Sequence, residues 1–284
     1  MYLIDHKLKG IIPVKSLVIA GYGFADFDPP RAEYNDLDGL LQMAGGLDPL
    51  MKELSSLSWN QWVLTDFCAG DDLDCKLKHI INAHGLHAVK AKSENAYQIA
   101  PLSFDHYKRQ LSASTRAKYF NRRARLAEHG SVELIEITSP QDFFKTLNQF
   151  HLKRWGRPCY SLQSMEFFTL FIERIRLEGG NPIMQYIQVA GEIVSVLFDI
   201  IWQGMRYNLQ SGYFEGRYGN LALGSLHFGF AIEQALTSNY GYDFLAGSGM
   251  HANYKESIST EFKTLETYYL VQGWLKKLYQ IYGK

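Results

Sequence analysis

The sequence predicts an α/β chain, α+β in detail, built on a β-sheet of mixed direction with helices on both faces. Three observations predict it. In the second half the apolar pattern reads strand, two helices, three strands, helix, strand, short helix, strand, helix, an order that covers a sheet on both sides. The three central strands follow one another directly in "PIMQYIQVAGEIVSVLFDIIWQGMRYNLQSGY", where "AGE" and "WQGM" are hairpin turns between runs of Ile, Val, Phe and Tyr. With 284 residues, 46% of them apolar, the chain can bury a large core.

In chain order, "KLKGIIPVKSLVIAGYGFADFD" reads as two strands punctuated by Gly10 and Gly21, and "DLDGLLQMAGGLDPLMKELSSL" as two short helices. "NQWVLTDF" is a strand, "DLDCKLKHIINAHG" a helix ended by Gly85, and "LHAVKAK" and "AYQIAPL" two more strands. From Ser103 the texture changes to one long basic helical region closed by Gly130, and the domain boundary is placed there, giving units 1–102 and 103–284. Beyond it the pattern predicts a strand over 131–137, helices over 140–155 and 164–178, and three strands within 182–214. A helix over 221–239, a strand over 242–246, a short helix over 251–258, a strand over 265–271 and a helix over 273–282 complete the chain.

Twenty-nine basic residues balance twenty-nine acidic ones, so no overall field favours DNA or an anionic membrane. No apolar run reaches the ~20 residues of a membrane helix, and "MYLIDHKLKG" carries charges where a secretion signal is apolar, so a cytoplasmic protein without membrane insertion is expected. Cys68, Cys75 and Cys159 form no CxxC pair and are expected to be packed thiols. His79, His84 and His87 straddle a helix end with no carboxylate or cysteine at ligand spacing, so no metal site is expected. The cluster Arg116, Lys118, Arg122, Arg123 and Arg125 reads as a solvated helix face before it reads as a phosphate-binding one.

Four stretches carry a resemblance: "LSASTRAKYFNRRARLAEHG", "FHLKRW", "SGYFEGRYGNLALGSLHFGFAIEQAL" and "YDFLAGSGMHANYK". Together they resemble the acetyltransferases associated with bacterial cellulose and exopolysaccharide biosynthesis, a branch of the GNAT superfamily related to the FemAB aminoacyl transferases. The resemblance implies a GNAT-like catalytic half after a shortened, degenerate GNAT-like N-terminal half. It implies acetyl-CoA or another acyl-CoA as donor, no metal, and a sugar or other small molecule as acceptor. A homodimer is compatible with it.

Particular residues follow. "RYGNLALG" leads from a strand into a helix, where main-chain amides at a helix N-terminus can hold the CoA pyrophosphate. Arg217, Asn220 and Ala222 fall on the marked positions of the superfamily pattern, with Asn220 in place of a glycine, and Tyr218, Gly219, Leu221 and Gly224 complete the loop. Ser211 and Tyr213, on the preceding strand, are expected beside the cofactor. His151 and Trp155 share a helix face with Arg154 beside them, which by itself reads as an aromatic core stripe with a solvated arginine, above all for Trp155; the resemblance implies instead an acceptor wall, joined by Asp243 from the strand "YDFL". The resemblance gives Tyr254 the proton that the leaving thiolate needs, from a phenol of ordinary pKa ~10. It gives Lys255 an orienting role, and Glu215, at a strand end, is the candidate general base. No Cys or Ser lies in a nucleophile elbow, so direct transfer without an acyl-enzyme is expected. Two rival readings stay open: a FemAB-type transferase whose charged tRNA lies on the basic region 113–127, and a non-catalytic scaffold of a polysaccharide apparatus.

Overall fold

Strands and helices alternate as the apolar pattern predicts in the computed structural model, which describes residues 2–8, 12–18, 37, 41–42, 45–219, 221–247 and 252–282. The described order begins β1 (Tyr2–Leu8), β2 (Ile12–Val18), α1 (Leu47–Ser55), β3 (Gln61–Cys68), α2 (Asp71–His84) and β4 (His87–Ile99). It continues α3 (Phe104–Gln110), α4 (Ala113–Arg116), a π-helical turn (Ala117–Asn121), α5 (Arg123–Ala127), β5 (Val132–Glu136), α6 (Pro140–Trp155) and α7 (Leu162–Leu177). Then come β6 (Asn181–Val189), β7 (Glu192–Trp202), β8 (Met205–Tyr213), α8 (Leu223–Thr237), β9 (Gly241–Ala246), α9 (Ala252–Glu256), β10 (Glu261–Val271) and α10 (Gly273–Tyr282).

The chain divides into two units, Met1–Ala96 with Lys263–Lys284 and Tyr97–Phe262. The expected cut before Ser103 lies within the second unit, and the last twenty-odd residues pack with the first, because β10 pairs antiparallel with β3. That pairing spans about two hundred residues of sequence and leaves no local signal. In the first unit the strand order is β1-β2-β3-β10-β4, around a core that includes Leu17, Leu50, Leu54, Trp62, Leu64 and Leu270. "LHAVKAK" and "AYQIAPL" are one 13-residue strand, not two: the polar "SEN" between them continues β4, with Ser93 exposed and Glu94 and Asn95 half-buried, and makes no turn. Cys68 and Cys75 are exposed, correcting their reading as packed thiols; only Cys159 is half-buried. Gly10 and Gly21 fall outside the described residues.

The second unit carries the order β4-β9-β8-β7-β6-β5, antiparallel throughout β5 to β8 and parallel between β8 and β9. The two hairpins turn on consecutive left-handed residues, Ala190 (φ 48°) with Gly191 (φ 83°) and Gln203 (φ 46°) with Gly204 (φ 80°), the geometry that matches strand twist. The long basic helix is interrupted. Leu111 is extended, and the Ser112 hydroxyl accepts the N–H of Thr115 at 3.2 Å, ending one helix and starting the next. The π-helical turn lies so close to α8 that a Cβ on Gly229 would sit 1.9 Å from the carbonyl oxygen of Tyr119, which requires glycine there.

One feature of this sheet positions the site. β8 and β9 pair only over Met205–Tyr207 and Gly241–Asp243, although β8 runs on to Tyr213 and β9 to Ala246. The base of that parting is held by a buried polar cluster. The Asp199 carboxylate accepts from Arg206 Nε (2.6 Å), Asn208 Nδ2 (2.8 Å) and the Tyr242 hydroxyl (3.1 Å), while Arg206 Nη1 reaches Gln234 Oε1 on α8 at 3.0 Å. Such a cluster stitches three strands and a helix, and is costly to break because each partner would be left buried and unpaired.

Candidate active site

Beside the parted strands lies a cavity of about 350 Å³. Of the residues expected at the site, His151, Arg154, Trp155, Ser211, Tyr213, Ala222, Gly224 and Tyr254 all line it. So do Lys118, Phe150, Gln210, Gly212, Ser225 and Phe228, which sequence reasoning did not place there. Lys118 was hidden by the π-helical turn, whose extra residue shifts the helical phase and carries the side chain off the face that a regular helix would give it. A second, contiguous hollow of about 220 Å³ is formed by the turn 213–219 with Leu221, Ala222 and Leu223.

The turn's geometry follows from its left-handed residues. Gly216 (φ 74°), Gly219 (φ 59°) and Ala222 (φ 53°, ψ 58°) curl the main chain so that it enters α8 with Ala222 as N-cap. No side chain caps that end and its first turn holds no acidic residue, so the positive pole of a 15-residue helix is left for an anion. Ser225 and Leu226 already bond the Ala222 carbonyl, which leaves the amides before them facing out of the helix. Gly224 packs under the Tyr213 ring, 2.8 Å from where a Cβ would be. Arg217 is exposed and paired with Glu192 at 2.5 Å, and Tyr218 stacks on His129 at 4.5 Å. Asn220 lies outside the described residues.

On the cavity's far wall, α6 ends at Gly156, whose left-handed φ of 70° closes the helix. Trp155 is 54% exposed, so it is a cavity wall and not part of a core stripe. The Arg154 guanidinium lies 4.8 Å over the Tyr213 ring and 4.6 Å over that of Trp155, and 3.6 Å from Glu215. His151 Nε2 is 3.1 Å from the carbonyl oxygen of Ser211, and the Ser211 N–H donates to Gln210 Oε1 at 3.0 Å. Both main-chain groups of Ser211 are thus taken by side chains at the level where β9 has parted from β8. Burial lowers the His151 pKa from its ordinary value, opposed by the Ser211 carbonyl and reinforced by the charge of Arg154.

Four expectations need correction. Lys255 does not face a ligand: its buried ammonium donates to the carbonyls of Phe244 (2.7 Å), Leu245 (2.9 Å) and Ala246 (3.2 Å), so its three hydrogens are spent on the end of β9. Asp243 is not part of the cavity wall. It is fully buried, accepts from Gln98 Nε2 at 2.5 Å and from the Leu245 amide at 2.6 Å, and so braces Leu245 in its left-handed conformation (φ 57°). Glu215 is exposed in the turn and outside the cavity lining, which does not suit it as a base there. Tyr254 lines the cavity, but burial and the neighbouring Tyr213 push its phenol up to about 12, above the ordinary value expected from sequence.

The basic cluster is also dispersed and not a uniform solvated face. Arg116 bonds the Leu111 carbonyl, and Arg123 pairs with Glu233 and lies 3.8 Å over the Phe230 ring. Among the described residues no group of three or more His, Cys, Asp or Glu could hold a metal, and no helix is long and apolar enough to cross a membrane.

Comparison with known proteins gives one family and several solved structures of similar fold. Residues 113–256 match the family described as "Acetyltransferase (GNAT) domain". No curated protein matches the sequence. Among solved structures the fold resembles FemX, at 10% identity and a TM-score of 0.60 over 99% of this chain and 86% of that one. It also resembles a conserved protein of unknown function from Bacteroides thetaiotaomicron, at 13% identity and a TM-score of 0.54 over 84% of this chain and 76% of the other. A third likeness is to L-PGS from Bacillus licheniformis, at 10% identity and a TM-score of 0.51 over 78% and 71%.

Proposed function

The chain belongs to the acetyltransferase (GNAT) domain family and is an acyltransferase, and we propose that it moves an acyl group from acetyl-CoA, or another acyl-CoA, directly to a small acceptor. The observation that supports this most is the parting of β8 from β9 between an uncapped helix N-terminus and a cavity. The residues fit an acyl-CoA. The curled turn would hold the pyrophosphate on the main-chain amides at the head of α8, Leu223 and Gly224, while the amides of Arg217, Gly219 and Leu221 bond carbonyls within the turn and keep its shape. The amide of Ser211, once released by Gln210, is placed on the strand as a donor to the acyl carbonyl oxygen. Bound there, the thioester supplies an activated acyl carbon and a thiolate leaving group.

The chain's own residues then do the rest. Tyr254, with a phenol that stays protonated at neutral pH, donates to the departing sulfur. Lys255 and Asp243 hold the curled end of β9 from which α9 and Tyr254 follow. Lys118 and Arg154 bring two cations to a cavity whose described lining has no carboxylate, which favours an acceptor that carries negative charge. Sugars and amino sugars of bacterial polysaccharide or envelope synthesis, met in the cytoplasm where acyl-CoA is available, are the acceptor class we favour on the sequence resemblance. We assign residues 1–102 the role of a degenerate GNAT-like half, with no cofactor of its own. Exposed Leu162, Leu170 and Leu177 along α7 offer a homodimer surface. The internal bonds of Arg116 and Arg123 speak against a tRNA lying on that face. A thermal shift tests the donor: acetyl-CoA at 100 times its Kd should stabilise the fold by ~2.7 kcal/mol, and an unmoved melting curve at millimolar acetyl-CoA would remove this reading.

A further inference from the structure

We propose that Nδ1 of His151 is the base that removes the proton from the acceptor nucleophile. The inference rests on the acyltransferase reading above and adds the group that its proton transfer requires. A carbonyl oxygen can only accept, so the contact of Nε2 with the Ser211 carbonyl at 3.1 Å puts the ring hydrogen on Nε2. In the neutral ring the lone pair is then on Nδ1, which makes no hydrogen bond to the described residues. The arrangement is that of an oriented base: a strand main-chain group sets the tautomer, and the half-buried ring lines the same cavity as Tyr254.

No other lining residue suits the task. Lys118 and Arg154 are cations, Tyr213 and Tyr254 are phenols, and the described lining includes no Asp or Glu. The polar and charged groups that line the cavity with the ring are Arg154 on its own helix, Lys118 from the π-helical turn, Gln210, Ser211 and Tyr213 on β8, Ser225 on α8 and Tyr254 on α9; Glu215 is 3.6 Å from Arg154. The described lining thus holds two cations and no carboxylate. Burial first, and the charge of Arg154 after it, lower the pKa of the ring and so favour the uncharged form, the one that accepts a proton.

The step balances. The acceptor's lone pair forms a bond to the thioester carbonyl carbon, and its proton passes to Nδ1. The C–S pair leaves on sulfur and takes the Tyr254 phenol proton, and the imidazolium proton returns to the phenolate through solvent. The products are acylated acceptor and free CoA.

Two measurements on the intact protein test this. In protein labelled with ¹⁵N-histidine, long-range ¹H–¹⁵N correlation should show His151, assigned by its loss in His151→Gln, as the Nε2–H tautomer, titrating below the ordinary histidine value. The second follows thiol release from acetyl-CoA with water as acceptor. His151→Gln keeps a donor for the Ser211 carbonyl and removes the base. It should lower kcat by ~10²–10⁴-fold and abolish the acidic limb of the pH profile, while the acetyl-CoA Kd moves less than about threefold. Imidazole should restore part of the rate to His151→Ala. An Nδ1–H tautomer, or a His151→Gln protein with near wild-type turnover and an unchanged acidic limb, overturns the proposal. Wild-type protein that does not bind acetyl-CoA overturns the acyl-CoA reading instead. The tautomer measurement decides for the base even where hydrolysis is too slow to follow.

Discussion

Ala222 is where the backbone, the helix pole and the proposed phosphate site coincide, and two substitutions there separate folding from binding. As a left-handed alanine it carries a conformational cost of about 1–2 kcal/mol, which Ala222→Gly removes at the expense of about 0.4–1 kcal/mol of extra unfolded-state freedom. The glycine variant should therefore melt at the same temperature or a few degrees higher, and still bind CoA. Ala222→Glu keeps the strain but sets a carboxylate at the uncapped end of α8, which returns about 0.3–1 kcal/mol. Its fold should be as stable as wild type. Its phosphate affinity should not: a like charge about 4 Å from the ligand's, at the effective dielectric of a protein surface, costs about 4 kcal/mol, or roughly a thousandfold in Kd. Calorimetric titration with CoA at low and high salt reads the difference, and the penalty should shrink as salt screens it. A folded Ala222→Glu protein that binds CoA within tenfold of wild type refutes the placement of the pyrophosphate at this turn.

Further expectations concern three other residues. Tyr254→Phe should lower turnover of acetyl-CoA by ~10²-fold or more with little change in Kd or melting temperature, and a rate within about threefold of wild type leaves the phenol with a packing role only. Lys255→Met strands three carbonyls at the end of β9 and should cost about 1–3 kcal/mol in urea unfolding, whereas a specific rise in acceptor KM at unchanged stability would restore its sequence-based role. His227 is buried and held neutral, its pKa lowered to about 3 by burial and then by Arg206. Because the folded value lies below the unfolded ~6.5, its contribution is present above pH 6.5 and is lost as pH falls toward 3, at about 1.4 kcal/mol per unit. Unfolding free energies at pH 7 and pH 4.5 for wild type and His227→Phe check this, and an equal pH slope in both proteins excludes it.

Local signals carried most of the second unit. The three-strand run "PIMQYIQVAGEIVSVLFDIIWQGMRYNLQSGY" needs only nearest neighbours: two-residue turns that accept positive φ at Ala190–Gly191 and Gln203–Gly204 bring β6, β7 and β8 together. The glycine-bearing turn before α8 and the helix that ends "FHLKRW" were legible in the same way, because a helix terminus is written in the few residues around it. Tertiary structure decided what those residues face. Whether the Lys255 ammonium meets a ligand or three carbonyls depends on where β9 ends relative to α9, which spacing in the chain does not encode. Lys118 entered the cavity through a π-helical turn that no periodicity count foresees. His151 became a candidate base only once the Ser211 carbonyl, sixty residues away, claimed one of its two nitrogens. Most elements of the second unit, and the residue types from which a site could be built, were legible along the chain. The packing of distant segments decided which side chains were consumed in holding the fold and which were left to act, because burial and hydrogen-bond partnership are properties of neighbours in space.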